Sequence, residues 1–138
     1  MFKGINWIAV VVAVVLLEVL GFVWYGPLFG KAWMAVAPVQ PDPAKVNLFM
    51  SLGVINTLIV VVGLAWLTGQ LHATSLKCAL GVSLAAWFFF DFTTQALEYL
   101  YMGLDRTLVA INMGYQLASY LITGLVLALV KIRLGAKA

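Results

Sequence analysis

With one cysteine, Cys78, and one histidine, His72, the sequence cannot supply an internal disulfide, a Cys-x-x-Cys redox pair or a His-rich metal set. Charge is equally scarce. Only 9% of the residues are Asp, Glu, Lys or Arg, against about 25% in a soluble domain, and hydrophobic residues reach 64% where roughly 45–50% is usual. A chain this apolar excludes water as its main solvent. The net charge of +3 does not make it a nucleic-acid binder, because the eight Lys and Arg form no stripe along a helix face and sit at the ends of apolar runs. Proline is confined to one stretch: Pro27, Pro38, Pro41 and Pro43 all fall between residues 26 and 47. Cys78 reads as a small apolar residue near a helix start.

What is abundant is long apolar sequence. Four runs, residues 5–25, 48–69, 78–102 and 108–130, each approach or exceed the ~20 residues that cover about 30 Å of hydrocarbon at 1.5 Å per residue. Backbone in lipid must satisfy its own hydrogen bonds, so these runs are predicted to be helices. The expected fold class is all-α, a single integral membrane domain over residues 1–138 built as a four-transmembrane-helix bundle. Ala35-Val36-Ala37 imitates a signal-peptide cleavage box, yet the first run exceeds a signal's apolar region and Pro38 would follow the cut. It is therefore read as an uncleaved helix. The prolines forbid a continuous helix from Gly26 to Asn47 but leave room for a short interfacial helix over 28–36, carrying Phe29 and Trp33. The links 70–77 and 103–107 are short, which makes consecutive helices antiparallel neighbours.

Four crossings put both termini on one side, with Lys3, Lys77, Lys131, Arg133 and Lys137. The opposite side has Lys31, Lys45 and Arg106. The excess favours cytoplasmic termini. His72 then lies in a cytoplasmic link and reads as solvated. Trp24, Tyr25, Tyr99 and Tyr101 are expected to form the outer aromatic belt, and Trp7 the inner one.

The informative residues are polar ones inside apolar runs. Glu18 lies in the first run, Asn56 and Thr57 in the second, Asp91, Thr94, Gln95 and Glu98 in the third, and Asn112, Gln116, Ser119 and Thr123 in the fourth. A charge at a helix centre costs at least ~2.5–3.5 kcal/mol on insertion scales. Asp91, Gln95 and Glu98 follow an i, i+4, i+7 pattern and share one helix face, as do Asn112, Gln116, Ser119 and Thr123 on the next helix. Counting from the outer ends places Glu18, Asn56, Asp91, Gln95 and Gln116 on the order of 9–15 Å below the outer surface, with Asn112 and Glu98 nearer the mouth. This convergence predicts an outward-facing acidic pocket over an almost purely apolar inner half.

The acids have no Lys or Arg at comparable depth. They must be protonated, hydrogen-bonded to the amides, bound to a cation, or paired with Lys31 or Arg106 folding inward. The bland alternative is that the amides and hydroxyls are interhelical glue worth ~0.6 kcal/mol per contact. Glu98 can equally reach headgroups or water. Gly21, Gly53, Gly63, Gly81, Gly114 and Gly124 are expected to allow close helix approach.

Asn6-Trp7, followed after an apolar run by the stretch from Gly21 through Trp24-Tyr25-Gly26-Pro27-Leu28-Phe29-Gly30-Lys31-Ala32-Trp33 to Met34, resembles the opening of a family of small bacterial integral membrane proteins of unknown function. That family is typified by an N-W start and a W-Y-x-P-L-F-G-K-x-W block. Asp105-Arg106-Thr107 and Ile111 to Gln116 are similar to its ending. Gln116 stands where the family often has His, and Glu18 where it is usually apolar. The resemblance implies a four-helix protein of a bacterial cytoplasmic membrane, with no activity or catalytic residues to carry over. The block itself reads either as an anchoring turn, with Gly30 permitting a tight return, or as a lid over the pocket formed by Trp24 and Tyr25, with Lys31 as counter-ion. Leu17-Glu18-Val19-Leu20-Gly21 also resembles the first-helix acid motif of small four-helix multidrug exporters, a mechanistic analogy only.

The leading functional expectation is a permease-like or binding protein whose pocket takes a proton, cation or small polar ligand at Asp91, Glu18, Gln95, Gln116, Asn112, Asn56 and Glu98. The alternative is an accessory or assembly subunit whose polar seam holds helices or docks a partner. Enzymatic activity is not expected, since no Ser or His at matching depth makes a nucleophile and base. No cofactor or metal is expected either. Besides the lipid bilayer, the expected partner is a second or third copy of the chain.

Overall fold

The computed structural model describes residues 4–39 and 42–135, with side chains through Val130. Lys3, Pro41 and Lys137, and the side chains of Lys131 and Arg133, lie outside the described residues. Helix α1 (Trp7–Val23) is followed by a kinked turn and the short α2 (Gly30–Val36). Then come α3 (Val46–Gln70), α4 (Leu76–Ala86), α5 (Thr93–Met102) and α6 (Arg106–Gly135), with no strand among the described residues. A widened π-helical turn, Trp87–Phe92, joins α4 to α5 without a break, so the two form one crossing. Four helical segments are long and apolar enough to cross a membrane: Trp7–Leu28, Pro43–Gln70, Leu76–Met102 and Arg106–Val130.

Local chemistry explains the helix ends. Asn6 caps α1 by accepting from the Ala9 N–H at 3.2 Å, and Ser75 caps α4 by accepting from Cys78 N–H at 3.2 Å. The Asp105 carboxylate accepts from Thr107 N–H at 2.7 Å where α6 begins. Gly103 ends α5 at φ 63°, the left-handed cap that glycine adopts without steric cost.

The most buried span is α6, which packs against α1, α2, α3 and α4, while α1 packs on α3 and α3 on α4. At one end, here the base, the start of α1, the end of α3 and the end of α6 meet in a core of Ala9, Val10, Ala13, Leu17, Val61, Leu64, Ala65, Val126 and Leu127. Gly124 is what allows α4 and α6 to approach there: a Cβ on it would sit 2.5 Å from Ser83 Oγ and 3.1 Å from the Ala79 carbonyl oxygen. Gly21 and Gly114 likewise admit Tyr115 and Trp24. By contrast, a Cβ on Gly53, Gly63 or Gly81 would meet nothing within 4 Å, so these three glycines bring no helices together within the chain.

The hydroxyls are not interhelical glue. Thr57, Thr68, Thr93, Thr94, Ser119 and Thr123 each donate to a carbonyl one turn back on their own helix. At the opposite end, the mouth, α5 packs chiefly on the π-helical turn that precedes it and reaches α6 through Tyr99.

Candidate functional site

The site starts from the Gly-Pro break. Gly26 leaves helical geometry at φ −101°, ψ −105°, Pro27 follows, and the chain turns so that Phe29 N–H donates to the Trp24 carbonyl at 2.9 Å. Gly30 completes the return. A Cβ there would lie 2.6 Å from the Tyr25 carbonyl oxygen, closer than atoms can pack, so only glycine fits. This tight fold points Trp24, Tyr25 and Trp33 back at α6 instead of into a headgroup belt.

Asn112, one turn and a half into α6, receives them. Its Oδ1 accepts from Tyr25 Oη at 3.0 Å and from Trp33 Nε1 at 3.2 Å, and its Nδ2 donates to Tyr99 Oη at 2.9 Å. Trp24 Nε1 donates to the Ile111 carbonyl at 3.1 Å. Ring contacts pack the same group: Tyr25 lies 5.1 Å from Tyr115 and 5.9 Å from Trp33, centroid to centroid. The polar tips of three aromatic residues from three separate elements, the kink after α1, α2 and α5, are thus held by one amide. Tyr101 does face outward, at 83% exposure, so of the expected outer belt only this residue lies on the surface.

Between these rings and α5 lies a cavity of about 530 Å³, lined by Tyr25, Trp33, Met34, Gln95, Tyr99, Asn112 and Gln116. The two polar stripes read from the sequence do meet across it, through Gln95 on one side and Asn112 and Gln116 on the other. Among the described residues no Lys, Arg, Asp or Glu lines it.

Asp91 lies behind this lining. Its carboxyl shares a hydrogen bond with Gln95, one turn nearer the mouth. Its Oδ2 is buried without a partner, as are Trp87 Nε1 and Ser83 Oγ, so three successive turns of the third crossing each bury an unpaired polar atom. Such atoms in a low-dielectric interior are costly and mark a place that water or an ion can satisfy.

The other predicted site residues are elsewhere. Glu18 and Asn56 are exposed on α1 and α3, Glu98 is exposed on α5, and Lys31 is exposed on α2; none of them lines the cavity. Conversely, Tyr99 and Met34 line the cavity without having been singled out as site residues, and Trp33 without having been given more than an interfacial role. Their signal was present in the W-Y-x-P-L-F-G-K-x-W block, but its spacing does not reveal a return toward α6. Among the described residues no group of three or more His, Cys, Asp or Glu is placed to hold a metal ion.

Comparison with known families gives one match: the model described as "Protein of unknown function (DUF1761)" covers residues 8–128. No curated protein and no solved structure matches the chain.

Proposed function

The chain belongs to the DUF1761 family, whose function is unknown, and from the geometry of its cavity we propose that it binds a small organic cation in the manner of a permease-like or ligand-binding membrane protein. Three features support this reading. The cavity volume lies in the range of small-molecule sites. Tyr25, Trp33 and Tyr99 present aromatic rings, which attract cations through their negative faces, and Gln95 and Gln116 offer amide oxygens. Among the described residues no basic residue lines the walls to repel a cation, and the acid Asp91 is joined to the lining through Gln95.

The single observation that carries the proposal is the Asn112 network, since it fixes three rings around one space before any ligand arrives. Preorganisation of this kind lowers the cost of binding. The packed base closes the other end, so the arrangement is a vestibule and not a pore. α5 forms the remaining wall and is tied to α6 through the Asn112–Tyr99 bond.

The test is a fluorescence titration of the purified protein in detergent, with Trp33 as reporter and tetramethylammonium, choline and a neutral polyol as probes. The two cations are expected to quench or shift emission, and the polyol is not. Gln116→Ala and Asp91→Asn are each expected to weaken cation binding about tenfold. Equal response to the polyol, or variants that bind as the parent does, would remove the proposal.

A further inference from the structure

Two polar side chains stand where lipid alone would be a poor neighbour. Glu18 lies at the middle of the 22-residue span Trp7–Leu28, and Asn56 at the middle of the 28-residue span Pro43–Gln70. Both are exposed on the surface of the chain, and among the described residues neither makes a hydrogen bond or ion pair, Glu18 having only an electrostatic contact with Tyr115 of α6. Their helix neighbours on the surface are apolar: Val15, Leu16, Val19 and Phe22 around Glu18, and Leu52, Ile55 and Ile59 around Asn56. At that depth there is no water to solvate a carboxyl or an amide, and neither side chain is long enough to reach a headgroup from mid-span.

We infer that copies of this chain associate in the membrane through a pair formed by Glu18 of one copy and Asn56 of the next. The chemistry is complementary. A carboxyl group and a carboxamide meet edge to edge, the acid O–H donating to the amide oxygen and the amide N–H donating to the acid carbonyl, so each satisfies the other.

The depth also agrees. In a closed ring about an axis along the membrane normal, groups that touch must lie at the same level, and these two share the mid-span level. Gly53, one turn before Asn56, has open space where its Cβ would be, so a neighbouring helix can come close at this point. A lipid-facing amide with no acid to meet would be an isolated cost. With an acid at the same depth on the same chain, a second copy is the occupant that satisfies both groups at once.

The assembly is separate from the cavity, since neither residue lines it. Its test is therefore independent of ligand binding. Full-length protein carrying a donor or acceptor dye is reconstituted in vesicles and diluted with lipid while energy transfer is followed. The parent is expected to associate, and Glu18→Leu and Asn56→Leu each to need about tenfold more protein per lipid for half-association. Glu18→Gln retains an amide pair and is expected to stay near the parent. In a Cys78→Ala background, a mixture of Glu18→Cys and Asn56→Cys chains is expected to form a disulfide between copies. A parent that stays monomeric over the whole dilution range, a Leu variant that associates like the parent, or cysteines that link only to a different protein would each overturn the inference.

Discussion

Tyr25 donates its phenolic O–H to the Asn112 amide oxygen at 3.0 Å, joining the kink after α1 to the first turns of α6 across 87 positions of sequence. The bond has company, since the same oxygen takes the Trp33 indole and the same amide gives its N–H to Tyr99. One side chain therefore ties the mouth of the bundle together.

Asn112→Ala removes all three of these bonds and strands three polar tips in a half-buried space. It is expected to lower stability by about 2–3 kcal/mol, and Tyr25→Phe, which removes one bond and keeps the ring, by about 1 kcal/mol. Unfolding in mixed detergent, followed by Trp emission, measures both. Equal effects for the two variants would show that the amide is not the hub.

Glycine substitutions separate close contact from empty space. At Gly30 a Cβ collides with the Tyr25 carbonyl, so Gly30→Ala is expected to cost about 1–3 kcal/mol and to perturb the cavity. At Gly81, inside α4 with nothing within 4 Å, the same change is expected to be neutral or to stabilise by up to about 1 kcal/mol. Melting temperatures of the two variants, compared side by side, decide this.

Asp105 supplies a pH dependence with a definite sign. The Thr107 backbone N–H, donating to its carboxylate, holds its pKa below the ordinary Asp value of about 3.9, because the bond favours the charged form. A folded-state pKa below the unfolded one contributes stability that is present above about pH 4 and is lost as pH falls through the folded value. Asp105→Asn keeps a side-chain oxygen for the cap and removes the titration. The difference in unfolding midpoint between parent and variant is expected to shrink or reverse between roughly pH 5 and pH 3.

Cys78 lies exposed near the start of α4, at the base of the bundle. If the base faces the cytoplasm, as the distribution of Lys and Arg suggests, a membrane-impermeant maleimide is expected to label Cys78 in inverted vesicles and to spare it in intact spheroplasts. Labelling in spheroplasts would reverse the orientation and turn the cavity toward the cytoplasm.

The four crossings were legible because hydropathy reports the solvent directly: the run read as 78–102 is found as Leu76–Met102, and the one read as 108–130 lies within α6. The short helix between Pro27 and Pro38 was legible from proline spacing, and α2 occupies it. Face was harder to read. Glu18, Asn56 and Glu98 share the depth expected of site residues, but depth does not say which way a side chain points, and all three lie outside the cavity lining. Trp24 and Tyr25 have the composition of an interfacial anchor. Only the fold-back at Gly26 and Gly30 reveals that their polar atoms have partners on α6.

The π-helical turn at Trp87–Phe92 holds one more residue than an α-turn of the same kind would. Deleting Phe90 would let that turn close as ordinary α-helix with the faces on either side left nearly in register, whereas one residue removed from a regular α-helix swings everything after it by about 100°. Gln95 would then stay on the cavity wall, and the hydropathy profile would hardly change. A single gap placed in this segment of an alignment is therefore a statement that the bulge is absent from that relative, and the residues beyond it still correspond position by position and face by face.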